Sequence, residues 1–289
     1  MKKFLPIILA ASILIILIAV TSPKGTQSIK SLFKSPKEIA ENFVAENPSI
    51  TPTPTPKPLT FTEMNALYGP CVVAPVIMYH HVEDPKEAQK EGHLTLAVSP
   101  DFFKEQMNYL KDNGYTTVKM DDVINFFDTG VPISKKSVLL TFDDGYKDFA
   151  VNAFPVLRDL GFNATMFLPT GLVDNPGYLS WEDISNIQDS GNILFANHTW
   201  SHHNLVAGKE VIEKEISLAD TQLTQKGLGN PKVFAYPYGT FNNGVIEILS
   251  GMDYKLAFTT RYGWTLCKKQ RFDLPRVRLG NAALSSYGF

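Results

Sequence analysis

Cysteine is scarce: Cys71 and Cys267 are the only two in 289 residues. A scaffold stapled by several disulfides is excluded, and one bridge is the maximum. In an oxidising compartment the pair can close a single disulfide around the domain. The alternative is two separate thiols buried as small hydrophobes, and spacing alone does not give the Cα separation that decides between them. Neither sign of charge dominates. Lys and Arg number 27 against 29 Asp and Glu, a formal charge of -2. There is thus no global basic field of the kind that holds nucleic acid, and no acidic excess of the kind that keeps a chain disordered. No internal repeat is present, and none of the six histidines lies beyond His203.

What is present begins with Lys2-Lys3 and an apolar run from Phe4 to Val20. Its length and the poor small-residue site at Ala19-Val20-Thr21-Ser22 favour an uncleaved signal anchor over residues 1–21, with a cleavable signal peptide as the alternative. The lysines stay inside, so the rest is exported, on the cell membrane or secreted if cleaved. Residues 22–58 read as an extracytoplasmic linker. Ser35-Pro36-Lys37-Glu38 caps a short helix. Thr51 to Pro58 has proline at every second position, which forbids a helix and gives a stiff extended stalk. A single domain follows over 59–289.

That domain is organised around Leu139-Leu140-Thr141-Phe142-Asp143-Asp144-Gly145-Tyr146. An apolar run from Ser137 predicts a buried strand, stopped by two carboxylates and a glycine, with a helical pattern after it (Phe149, Phe154, Leu157, Leu160). Other strands are expected at Val76–Tyr79, Tyr115–Val118, Asn163–Leu168, Ile193–Ala196, Val233–Tyr236, Lys255–Thr259 and Arg271–Leu279. Helices are expected after Ser99-Pro100, from Trp181, and along Ile212–Leu223. Repeated β-then-α units point to a parallel sheet closed, or nearly closed, into a barrel. Three strand ends carry residues of metal-ligand type: His80-His81, Asp143-Asp144, and His198 with His202. The four-residue spacing of the last pair predicts both rings on one side of a helical turn. One carboxylate and two imidazoles leave open positions for water and substrate, a hydrolytic arrangement on zinc.

Thr141-Phe142-Asp143-Asp144-Gly145 together with His198-Thr199-Trp200-Ser201-His202 resembles the first two motifs of the polysaccharide deacetylases, the NodB-homology group of carbohydrate esterases. Phe234-Ala235-Tyr236-Pro237-Tyr238-Gly239 resembles a variant of their third, and the likeness spans roughly Val73 to Leu279. The resemblance implies a distorted (β/α) barrel of about seven units and metal-dependent removal of acetyl groups from a polysaccharide. It implies Asp143 as general base and Asp144, His198 and His202 as ligands of one divalent metal, zinc by default, with cobalt, nickel or iron as alternatives. It also implies the Tyr238 backbone N–H as an oxyanion donor. Two departures stand out. The third motif lacks its base-orienting arginine, for which Arg276 is the candidate substitute. The late histidine that supplies a general acid is missing. Tyr79-His80 is similar to the branch acting on poly-N-acetylglucosamine, where that role falls to an early histidine; His80 is favoured over His81. Trp181 is a candidate for stacking on a sugar ring, with core packing as its alternative. The expected activity is N-deacetylation of an N-acetylglucosamine polymer of the envelope or matrix. An O-acetyl (xylan-type) esterase and a non-catalytic carbohydrate-binding relative are the alternatives.

Overall fold

The structure, a computed structural model, describes residues 57–289. The anchor expected over 1–21 and nearly all of the linker lie outside the described residues. Among the described residues no helix is long and apolar enough to cross a membrane. Residues Leu59–Phe289 form one compact unit.

In chain order the strands are β1 (Cys71–Val73), β2 (Val76–Tyr79), β3 (His81–Val82), β4 (Ala97–Val98), β5 (Thr116–Thr117), β6 (Ser137–Asp143), β7 (Ala164–Leu168), β8 (Ile193–Asn197), β9 (Val233–Ala235), β10 (Leu256–Tyr262), β11 (Thr265–Cys267) and β12 (Leu274–Arg278). Seven of them close a ring in the order β2-β12-β10-β9-β8-β7-β6 and back to β2, with β5 added on the flank of β6. Every pairing in the ring is parallel. This is the expected distorted barrel.

Closure explains why β6 is buried at every position. A ring strand has two covered faces, so its alternate residues meet two different cores. Ile77, Tyr79, Leu140, Phe142, Met166 and Phe195 pack outward, in one cluster with Phe103, Met107 and Leu110 and with Ile184 and Ile187 of the covering helices Pro100–Asp112 and Trp181–Gln188. Val76, Leu139, Phe167, Ala235, Phe258 and Leu274 pack together within the ring. They are joined by Met120, Val123 and Phe127 of helix Met120–Thr129, a plug that the sequence reading did not contain. The helix at Pro100 begins as expected: Ser99 Oγ accepts from the Phe102 N–H and proline occupies the first turn.

The cysteines are bridged. Cys71 and Cys267 lie opposite each other in an antiparallel ribbon of β1 and β11, both buried. β1 runs into β2 and β11 leads towards β12, and these two neighbours in the ring each carry residues of the site described next.

Candidate active site

Five of the seven ring strands carry polar residues at or near their C-terminal ends. His80 follows β2, Asp143 ends β6, His198 follows β8, Thr260 lies in β10, and Arg276 and Arg278 are in β12. All except Arg276, which is buried behind Asp143, line a cavity of about 300 Å³ together with Asp144, His202 and Tyr238. A larger groove of about 670 Å³ lies along helices Lys209–Gln225 and Asn243–Gly251, and no predicted site residue lines it.

Asp143 is held by Arg276. Nη1 and Nη2 donate to its two carboxylate oxygens at 2.7 and 2.6 Å. The guanidinium also donates to the Thr259 carbonyl at 2.9 Å and to Thr141 Oγ1 at 3.2 Å, and lies over the Phe167 ring. Three ring strands therefore fix one bidentate pair. Burial alone would raise the Asp143 carboxyl, but the Arg276 charge overrides it and holds Asp143 below the ordinary carboxylate range. The Asp143 carboxylate thus stays ionised, and its orientation is fixed by Arg276. The neighbouring Arg278 reaches the Thr95 carbonyl instead.

Strand alternation would aim Asp144 away from Asp143. The chain corrects this with a left-handed residue: Asp144 has φ 74° and Gly145 follows at 71°. A side chain at 145 is doubly barred, because its Cβ would also lie 2.5 Å from Leu168 Cδ1. His198 and His202 also meet differently from the expected helical turn. Residues 198–208 contain no helix, and Thr199 and His202 are left-handed at 69° and 59°. Asn197 Oδ1 accepts the Thr199 N–H, Thr199 Oγ1 accepts the His203 N–H, and Glu215 accepts both the N–H and the hydroxyl of Ser201. Local side-chain bonds of this kind compete successfully with a helix. The folded loop, rather than the four-residue spacing, brings the rings together.

His198 Nδ1 lies 2.7 Å from the Ala235 carbonyl. A carbonyl only accepts, so Nδ1 carries the proton and the Nε2 lone pair faces inward. Nε2 of His198 and of His202 lie 3.4 and 3.1 Å from Asp144 Oδ1. That oxygen is buried and has no hydrogen-bond partner. An unpartnered buried carboxylate oxygen is costly unless a cation satisfies it. Ligand atoms about 2.0–2.1 Å from a tetrahedral ion stand about 3.3–3.4 Å apart, a tetrahedron's edge being about 1.63 times its radius. The observed separations match, so the three side chains fit a divalent ion. Their chemistry suits zinc and equally cobalt, nickel or iron.

His80 Nε2 lies 4.0 Å from Asp143 Oδ2, the oxygen that also accepts from Arg276 Nη2. Burial, partly opposed by the two carboxylates, lowers its pKa below the ordinary histidine value. His81 faces elsewhere. Its Nδ1 bonds Asp148 at 2.6 Å, and its ring is stacked between those of His93 and Tyr146. His93, given no role in the sequence reading, bonds Glu83. His81, Glu83 and His93 thus form a second cluster of metal-ligand type. The two imidazole planes are only 8° apart with centroids 4.0 Å apart, so their in-plane lone pairs do not converge on one point. The group is a hydrogen-bonded brace for β3.

Tyr238 is exposed, left-handed at φ 60°, and meets the His202 ring edge-on. Trp181 is not brought to the cavity. It opens its helix with its ring under Lys226, packed on the outer core, which is the alternative the sequence left open. One residue the sequence reading missed is Tyr146, whose hydroxyl pKa is pushed up by burial and by the adjacent Asp144 carboxylate. Its position directly after Asp144-Gly145 was the available signal.

A closed ring of parallel strands with ionisable residues gathered at C-terminal ends defines an α/β barrel that carries its candidate site on that face. Comparison with known proteins narrows this. Residues 130–257 match the polysaccharide deacetylase family. A poly-beta-1,6-N-acetyl-D-glucosamine N-deacetylase of Escherichia coli (strain K12) is 28% identical over 250 residues. That match takes in 71% of this chain but only 36% of the relative's length. The protein of the same name from Staphylococcus epidermidis is 26% identical, over 66% of this chain and 70% of its own. Among solved structures, the Streptococcus pyogenes deacetylase PplD, in complex with acetate, is 29% identical with a TM-score of 0.68. It covers 75% of this chain and 96% of its own. IcaB from Ammonifex degensii is 26% identical with a TM-score of 0.63, over 71% and 91%.

Proposed function

We propose that the protein is an exported, metal-dependent N-deacetylase that removes acetyl groups from a polymer of N-acetylglucosamine type, leaving an amine and acetate. One observation carries this reading: a buried Asp144 oxygen without a hydrogen bond, facing two imidazole nitrogens at 3.1 and 3.4 Å, with a second, ionised carboxylate next to it in sequence. The polymer class is supported by the names of the Escherichia coli and Staphylococcus epidermidis relatives. Export rests on the expected anchor at residues 1–21.

Asp144, His198 and His202 would hold the ion, which would supply Lewis acidity for the acyl carbonyl and for a water. The chain's own residues do the remainder. Asp143, held ionised by Arg276, accepts the proton of the attacking water as its oxygen joins the acetyl carbon. The Tyr238 backbone N–H donates to the oxygen on which charge develops, a role supported by the residue's position in the cavity lining. As the carbon–nitrogen bond breaks, His80 delivers a proton to the departing nitrogen, because an amide nitrogen leaves poorly unprotonated.

The test is acetate release from poly-N-acetylglucosamine, chitooligosaccharides, peptidoglycan and acetylxylan, with and without chelator. Release from the N-acetylated polymers, lost on chelation and restored by zinc, is expected; release unaffected by chelator would sink the metal assignment. His80→Ala separates amide from ester chemistry. It should slow acetate release from an N-acetyl substrate about 10²–10⁴-fold and from an O-acetyl ester much less. An equal loss on both would remove His80 from the role of acid.

A further inference from the structure

Four of the five arginines in the sequence are paired with carboxylates: Arg158 with Asp159, Arg261 with Asp273, Arg271 with Asp128 and Arg276 with Asp143. Arg278 differs. It is exposed and lines the reaction cavity beside His80 and Leu96, and its Nη2 donates to the Thr95 backbone carbonyl at 2.5 Å. Among the described residues no carboxylate lies within ion-pair distance of it. A backbone carbonyl fixes the guanidinium's position without cancelling its charge. The opposite arrangement holds two residues earlier, where the Arg276 charge is fully absorbed by Asp143.

We propose that Arg278 is a specificity-determining residue, a fixed positive charge at the cavity rim that disfavours a polymer whose sugar next to the reacting one already carries a free amine. The inference rests on the deacetylase reading. Each turnover of that reaction changes a neutral acetamide into an amine that is cationic near neutral pH, so charge is the property that distinguishes used from unused stretches of polymer. An ammonium on the adjoining sugar would meet the Arg278 guanidinium with no intervening carboxylate from that rim. Coulomb repulsion between unit charges about 7 Å apart corresponds to about threefold at the dielectric of water and about fiftyfold at an effective dielectric near 20, so an exposed group between these limits gives discrimination on the order of tenfold, and the effect must fade with salt. The expected product is a polymer deacetylated at spaced positions rather than in runs.

The experiment compares kcat/KM for acetate release from two N-acetylglucosamine pentamers, one fully acetylated and one with free amines on the second and fourth sugars, so that every remaining acetylated sugar adjoins an amine. The assay is run at about pH 6.5, where such an amine is protonated. Wild type should prefer the fully acetylated pentamer about tenfold, and less so at high salt. In Arg278→Gln the ratio should fall to about one, and Arg278→Lys, which keeps the charge, should restore it. Circular dichroism and thermal melting check that each variant is folded. A ratio in Arg278→Gln equal to that of wild type, or a wild-type preference for the amine-bearing pentamer, overturns the inference alone. No acetate from either pentamer or from the polymers overturns the deacetylase reading and this inference with it.

Discussion

Asp143→Asn is expected to lower acetate release about 10²–10⁴-fold, the usual contribution of a positioned base, and to destabilise the fold although the side chain keeps its shape. The second effect follows from Arg276, which is almost wholly buried and loses its only counter-charge. Breaking a buried pair from one side costs about 3–5 kcal/mol because the remaining charge is uncompensated. The two losses are separable. Chemical denaturation gives the stability, and activity below the unfolding transition gives the chemistry. A variant with more than a tenth of wild-type activity would remove Asp143 from the role of base.

Arg276→Gln strips the guanidinium from the other side, and its signature is a pH profile. Arg276 is what keeps Asp143 below the ordinary carboxylate range against the opposing pull of burial. Without it, burial wins and the carboxyl titrates above that range. The acid limb of kcat/KM, set by protonation of the base, should therefore move to higher pH in the variant. The stability linkage has the same origin. A carboxyl whose folded pKa is depressed contributes stability above its unfolded pKa and loses it as pH falls through the folded one. Wild type should lose this contribution only in strong acid, whereas Arg276→Gln should be about 3–5 kcal/mol less stable already at neutral pH. The double variant Asp143→Asn/Arg276→Gln should recover much of the stability and none of the activity, since it removes both charges. An unmoved acid limb in Arg276→Gln would show that the guanidinium does not tune the base.

Much of this was legible because it is local or periodic. The apolar run Val138-Leu139-Leu140 in β6 announced a strand covered on both faces, and the missing third-motif arginine pointed to Arg276. What sequence could not supply was long-range or conformational. Nothing in the helix Met120–Thr129 says that it closes the ring's interior, because that depends on partners in seven strands. The four-residue spacing of His198 and His202 suggested a helical turn, and the bonds from Asn197, Thr199 and Glu215 replaced it with a left-handed loop. Asp144 was named as a ligand from the motif, but the positive φ that lets it share a face with Asp143 against strand alternation is a conformational fact no pattern announces. Arg276 lies outside the third motif, where the resemblance puts its arginine, and could only be named as a candidate; its two bonds to Asp143 cross 133 residues of chain. His81 stood as the second choice for the acid and His93 had no role, because their partners, Asp148 and Glu83, are identified by packing rather than by motif.

The most direct measurement is zinc titration of the chelator-stripped protein, read by calorimetry and by metal content after dialysis. Wild type should take up one ion per chain, and Asp144→Ala, His198→Ala and His202→Ala should each abolish uptake while remaining folded. Undiminished binding in any of the three, or a folded wild type that binds no divalent ion, would contradict the account.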